Sequence, residues 1–256
     1  MDPKAYDEMR ALEDHHWWFA GRRRVARKLV GEALDARPGA RLLEVGCGTG
    51  GNLGWIERAW PGVRTAGLDL DRRALAHSAA RGLRAALLAA DGLRLPMADG
   101  SVDVLLAFDV IEHFEDEARL LDEFVRVLAP GGVLLASVPA YPSLWSPHDD
   151  FLHHKRRYRT GELEGRLEAR GLVLERRHGF NFLLLAPIAL ARAIKSATQG
   201  KAPPASDFFR LPAAANAGLG LLFALEAALV AWLPIRFGLS FLLRAARPRA
   251  TDGRSG

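Results

Sequence analysis

A doubly wound α/β fold with a largely parallel sheet is predicted by three stretches of this 256-residue chain. The first is LLEVGCGTGGNL at 42–53, an apolar run that ends in an acid and opens into glycines at 46, 48, 50 and 51. The second is GLDLD at 67–71, one helix length further on, with Asp69 at the end of a second apolar segment. The third is AADGLRLPMADGSVDVLLAFDVIEHF at 89–114. Here Asp91 ends a third strand, and Val102–Phe108 reads as a fourth with Asp109 at its tip. Short apolar runs spaced by helix-length segments are what strands buried on both faces look like in sequence.

The elements follow in order. Residues 1–37 read as a helical cap carrying Trp17, Trp18 and Phe19 between two histidines and three arginines, and Pro38–Gly39 punctuate the entry to the first strand. Gly46, Gly48 and Gly50 let the backbone turn and approach a ligand where a Cβ would collide. No GK[ST] follows, so the loop is not a phosphate cradle of that kind, and its pattern is E-x-G-x-G-x-G rather than G-x-G-x-x-G. Glu44 beside it suits a cationic or hydroxyl-rich ligand, and Asp69 is placed to accept hydrogen bonds from a ribose diol. A helix over 116–128 carries Leu120, Leu121, Phe124, Val125 and Leu128 on one face. The PGG turn at 130–132 then leads into a strand at 133–138, and the segments 171–180 and 239–248 both read as strands.

Over residues 38–140 these motifs resemble the class I S-adenosylmethionine-dependent methyltransferases, in the branch with small-molecule and lipid-precursor substrates. The resemblance implies a Rossmann-like, doubly wound, seven-stranded sheet whose last antiparallel pair is formed by 171–180 and 239–248. It also implies S-adenosylmethionine as cofactor. Glu44 and the loop of Gly46, Cys47, Gly48 and Gly50 would hold the methionine end. Asp69 would take the ribose hydroxyls and Leu70 would lie on the adenine. Asp91 would accept from the adenine amino group, with the backbone of Gly92 and Leu93 closing that pocket. Phe108 and Asp109 would meet the transferring methyl, and His113 could face the same cavity.

Composition fits one main globular domain of 38–180, with ordinary shares of apolar and charged residues. Cys47 is the sole cysteine, which rules out an intramolecular disulfide and points to a reducing compartment. The opening MDPKAYDEMRALEDHHWW lacks the apolar core of a secretory signal, so a cytoplasmic location is expected. The net charge of +5 suggests an anionic partner or surface. Nucleic acid is not expected, because FDVIEH stands where a base-flipping [DNS]PP[YW] motif would follow the fourth strand.

Two departures from a minimal cofactor domain should carry acceptor information. The first is a lid at 140–163 holding His148, Asp149, Asp150, His153, His154, Lys155, Arg156, Arg157 and Tyr158. HHWWF near the start together with HDxxxxHxRRY here resembles a bacterial methyltransferase subgroup associated with lipid- or glycan-linked intermediates. Two readings of the lid stay open. In one, His148 or His153 is a general base while Arg157 and Tyr158 grip an anionic or hydroxylated acceptor. In the other, the arginines satisfy the aspartates in a salt-bridged lid. No metal is expected, since His148, Asp149 and His153 lack a standard zinc spacing.

The second departure is a hydrophobic helical insertion at 181–237, in which 213–233 is interrupted only by Asn216, Glu226 and two glycines. That stretch is long enough to span a bilayer, but the chain must return to the same sheet for its last strand within 238–256, ahead of a disordered tail. Peripheral contact with the inner face of the cytoplasmic membrane is therefore expected, with Arg192, Lys195, Arg210, Trp232 and Arg236 near the headgroups. Packing on the domain or in a homodimer is the alternative. The function expected is O-methylation of a small-molecule, lipid-linked or glycan-linked acceptor. A non-catalytic cofactor-binding or membrane-scaffold protein is the other class kept.

Overall fold

The computed structural model describes residues 3–199 and 211–249. The expected disordered tail, Arg210 and the side chain of Lys195 lie outside the described residues. Among the described residues the strands β1 (Arg41–Val45), β2 (Arg64–Asp69), β3 (Ala86–Ala89), β4 (Val102–Phe108), β5 (Leu128–Pro139), β6 (Val173–Phe180) and β7 (Ser240–Ala246) form one seven-stranded sheet. The order is β3-β2-β1-β4-β5-β7-β6, with β7 antiparallel to both neighbours and the other pairs parallel. The chain winds outward through β2 and β3, then restarts on the other side of β1 with β4. The crevice between the carboxyl ends of β1 and β4 is thus the switch point where ligands bind in such sheets.

Helices cover both faces. On one lie α2 (Trp17–Asp35), α3 (Gly51–Ala59), α4 (Arg72–Ala79) and α9 (Ala213–Trp232), and on the other α5 (Glu117–Val127) and α7 (Glu162–Glu168). Of the apolar stripe expected on α5, Leu120, Leu121 and Phe124 are fully buried, as is Val127, whereas Val125 is half-buried. Leu128 opens β5 instead. Asp116 caps the start of α5 by accepting from the Arg119 N–H at 3.0 Å. Strand β5 is longer than expected. Gly131, at φ 76°, donates its N–H to the Arg247 carbonyl, and Gly132 accepts from the Arg247 N–H, so the PGG segment is a kink within the sheet.

The cap consists of α1 (Pro3–Leu12) and α2, and the insertion of α8 (Leu185–Gln199) and α9. Helix α9 lies along α2. The few polar breaks in this apolar helix fix it there. Asn216 accepts from the Trp17 N–H at 2.9 Å and donates to the His15 carbonyl at 3.0 Å. Glu226 accepts from the backbone of Asn181, Phe182 and Leu183. Gly21 matters as well, since a Cβ there would overlap the Phe223 ring. Most of α9 nevertheless stays uncovered: in its most apolar 18-residue window only 17% of residues are buried.

Candidate active site

The glycine loop is built for close approach. Gly46, Gly48 and Gly50 have φ of 67°, 54° and 81°, a region that strains any residue with a Cβ. A Cβ on Gly46 would also stand 2.5 Å from Val110. Glu44, at the end of β1, is almost completely buried and accepts from Asn52 at 2.7 Å through Oε1, while its Oε2 has no hydrogen-bond partner. Burial pushes its carboxyl up to about 8, with the Asn52 hydrogen bond working against the rise. A buried acceptor without a donor is what a bound ammonium would satisfy.

Asp69 closes the same crevice from the end of β2, where Oδ2 accepts from the Gly48 N–H and Oδ1 from the Asp71 N–H, both at 2.9 Å. Each carboxylate oxygen has a second lone pair for a hydroxyl. Burial raises its pKa, offset in part by those N–H donors. Leu70 projects next to it with 73% of its surface exposed, an apolar platform at the tip of the strand. Asp91 is exposed, and its Oδ1 accepts from the Leu93 N–H at 2.9 Å. A Cβ on Gly92 would meet Leu120 and Phe114, both at 2.9 Å. Cys47 turns its Sγ into the core against Gly67, so it meets the crevice through its backbone. These residues fit S-adenosylmethionine: an orphaned acid for its ammonium, a second acid for its diol and a glycine cradle between them.

Across the crevice, Asp109 follows β4 at φ 55° and accepts from Ser137 Oγ at 2.9 Å. Its other oxygen is paired with Arg22, whose guanidinium lies over the rings of Trp18 at 4.8 Å and Phe108 at 5.6 Å. The cap also reaches the glycine loop, where Glu13 accepts from the Thr49 hydroxyl and from Arg81. Nothing local in the sequence marks Arg22 or Glu13 for these roles. Arg22 stands three residues beyond Phe19, beside the HHWWF motif, but only the docking of α2 shows which acid it meets.

The lid holds the corrections. Arg157 and Tyr158, expected to grip an acceptor, are buried and spend their donors inside the protein. Arg157 donates to Asp149 at 2.8 and 3.0 Å and to the Ala140 carbonyl at 3.1 Å, and the Tyr158 hydroxyl donates to Glu117 at 3.0 Å. Burial alone would raise the Asp149 carboxyl, but its hydrogen bond with His154 and the Arg157 guanidinium hold it well below the usual range. Asp149 also accepts from Ser146, closing a capping box on α6 (Pro147–Phe151). Of the expected bases, His148 is half-buried on α6 and His153 is exposed at φ 58°. The neighbour, His154, is the one turned inward. Its Nδ1 lies 2.9 Å from Asp149 and its ring 4.8 Å from that of His113. The motif HDxxxxHxRRY carried the signal, since its second histidine is His154.

His113 ends a single 3-10 turn, Ile111–His113, and burial with the neighbouring His154 lowers it to about 4, leaving a neutral imidazole at physiological pH. Beside it Glu112 is fully buried with neither carboxylate oxygen hydrogen-bonded, and burial, then the charge of Asp109, raise its pKa well above the ordinary value.

A methyltransferase domain family matches residues 43–136. A probable S-adenosylmethionine-dependent methyltransferase of Mycolicibacterium smegmatis is 36% identical over 166 residues, which are 64% of this chain and 62% of the relative. The match thus spans less than two thirds of that relative's length. Among solved structures, an S-adenosylmethionine-dependent methyltransferase from Mesorhizobium loti is similar at a TM-score of 0.56 and 19% identity, covering 87% of this chain and 98% of that one. Haemonchus contortus phosphoethanolamine N-methyltransferase 2, solved with S-adenosylmethionine, is similar at 0.58 and 18%, covering 87% and 52%. Fold, crevice and sequence agree: residues 43–136 form a methyltransferase domain of the S-adenosylmethionine-dependent class, and the crevice residues fit that cofactor.

Proposed function

We propose that this protein transfers a methyl group from S-adenosylmethionine to an oxygen of a small-molecule, lipid-linked or glycan-linked acceptor. The observation that carries the reading is the asymmetry of the crevice. Its β1–β2 side offers Glu44 and Asp69 to the cofactor, while its β4 side offers Asp109 and a neutral His113. The bound cofactor supplies an electrophilic methyl on a sulfonium, so the acceptor needs alignment more than activation. In the transfer an oxygen lone pair forms the new O–C bond and the S–CH₃ bond breaks with its electrons staying on sulfur. The hydroxyl proton is released to water as the new bond forms. The Arg22–Asp109 pair ties the cap to the end of β4 beside that crevice.

The lipid-linked form of the acceptor is favoured by the insertion. Helices α8 and α9 leave and rejoin the sheet between β6 and β7, so they can lie on a membrane but not carry the chain across it. Leu221 is 73% exposed and Trp232, at the end of α9, 88%, and Leu190 on α8 is exposed as well. Such a face beside basic residues suits a lipid–water interface. Calorimetry with S-adenosylmethionine and its demethylated product should give saturable 1:1 binding, and labelled-methyl transfer into a bacterial lipid and glycan extract should mark a product one CH₂ heavier. Absence of cofactor binding would defeat the enzymatic reading. Co-sedimentation with anionic vesicles tests the membrane part separately: protein left in the supernatant while binding cofactor normally leaves a soluble acceptor.

A further inference from the structure

The Glu112, His113 and His154 side chains form a cluster whose ligand atoms all lie within 4.8 Å of one another. We propose that they bind one divalent transition-metal cation, which holds the acceptor oxygen in the crevice; the site rests on the methyl-transfer reading for its purpose but not for its existence.

Two features point to a cation. Glu112 is fully buried, and its two oxygens have no hydrogen-bond partner, although a buried unpaired acid is among the costliest features a protein can carry. His154 is held by Asp149 through Nδ1 at 2.9 Å. A carboxylate only accepts, so Nδ1 carries a proton, and Nε2 is the ring nitrogen turned to the cluster, 3.9 Å from Glu112 Oε1. This carboxylate–histidine relay is how proteins orient imidazole ligands, and Asp149 is itself fixed by Arg157. Around a bound ion these ligands would form an incomplete shell. Two imidazoles and one carboxylate leave coordination positions open, as in catalytic rather than structural sites. Metal–ligand bonds of about 2.1 Å put donor atoms no more than about 4.2 Å apart, so the cluster needs only a small contraction around the ion.

The site also joins two elements that are far apart in sequence. Glu112 and His113 come from the turn after β4, and His154 from the lid, whose Lys155 N–H donates to the Glu112 carbonyl at 2.8 Å. A cation would therefore tie the lid to the β4 edge and present its open positions next to Asp109. An acceptor hydroxyl bound there is acidified by the positive charge and gives up its proton more readily.

The test is to strip the full-length protein with chelator and titrate Zn(II), Mn(II) and Co(II), reading stoichiometry by elemental analysis and the Co(II) d–d absorption. One ion per chain is expected, with a Co(II) spectrum of nitrogen and oxygen ligation. His154→Gln and Glu112→Gln should each weaken binding at least ~10-fold while S-adenosylmethionine affinity, measured on the same samples, stays intact as evidence of a folded crevice. No ion bound by the wild type, or binding unchanged in both variants, overturns the site. Cation binding without cofactor binding would instead defeat the methyl-transfer reading and spare the site.

Discussion

The crevice edge and the lid use carboxylates in opposite ways. In the lid, Asp149 is saturated: Arg157, Ser146 and His154 all contact it, and the charge is fully answered within the chain. At the crevice edge, Glu44 keeps a buried oxygen without a donor and Glu112 keeps two. An acid whose partners are all supplied by the fold serves the fold. An acid buried without partners is held at a cost that a ligand can repay.

Three experiments press on that contrast. The largest effect is expected from Arg157→Ala, which strips a buried charge pair whose side chains are 6% and 0% exposed. Loss of one partner from such a pair costs about 3–5 kcal/mol, to be read from urea denaturation. A variant as stable as the wild type would mean that the lid is not held by this pair.

Next comes Asp69→Ala, which removes an acceptor from the crevice and also the brace on Gly48. Charged hydrogen bonds contribute roughly 1.5–3 kcal/mol each, so calorimetry should find S-adenosylmethionine binding weakened about 10- to 100-fold. Unchanged affinity would remove the ribose assignment.

The third experiment is a pH dependence, at most ~10-fold in affinity for each pH unit. With Glu44 raised to about 8 against an unfolded value near 4.5, the cofactor-free protein keeps a proton there that the unfolded chain has lost. Its contribution to stability therefore falls as pH climbs from about 4.5 to 8. A cationic partner favours the carboxylate, so cofactor binding expels the proton, and affinity rises by up to ~10-fold per pH unit until about pH 8. Glu44→Gln should flatten that slope. A wild-type slope of zero would place the cofactor's ammonium elsewhere.

Legibility in the sequence follows the same division. The glycine loop, Asp69 and β4 could be read because each is a local run: a few neighbouring residues fix both the strand end and the chemistry at its tip. The apolar length of the insertion was also plain, and Asn216 and Glu226 stood out as its polar breaks. What they bond could not be read, since Trp17 lies 199 residues from Asn216. The lid shows the harder case. Its histidines were visible, but choosing His154 over His153 depends on a residue at positive φ between α6 and the following segment.

By itself the sequence determined the order of strands and helices, the cofactor loop and the acids at the ends of β1, β2 and β4, because these depend on side-chain periodicity and on where glycine replaces a bulkier residue. Tertiary structure alone decided which charges meet. Arg22 reaches Asp109 from the cap, Arg157 turns inward to Asp149, and Glu112 gains His154 but no hydrogen bond. Electrostatic pairing depends on distance in space and on exclusion of water, and neither is set until distant segments have packed.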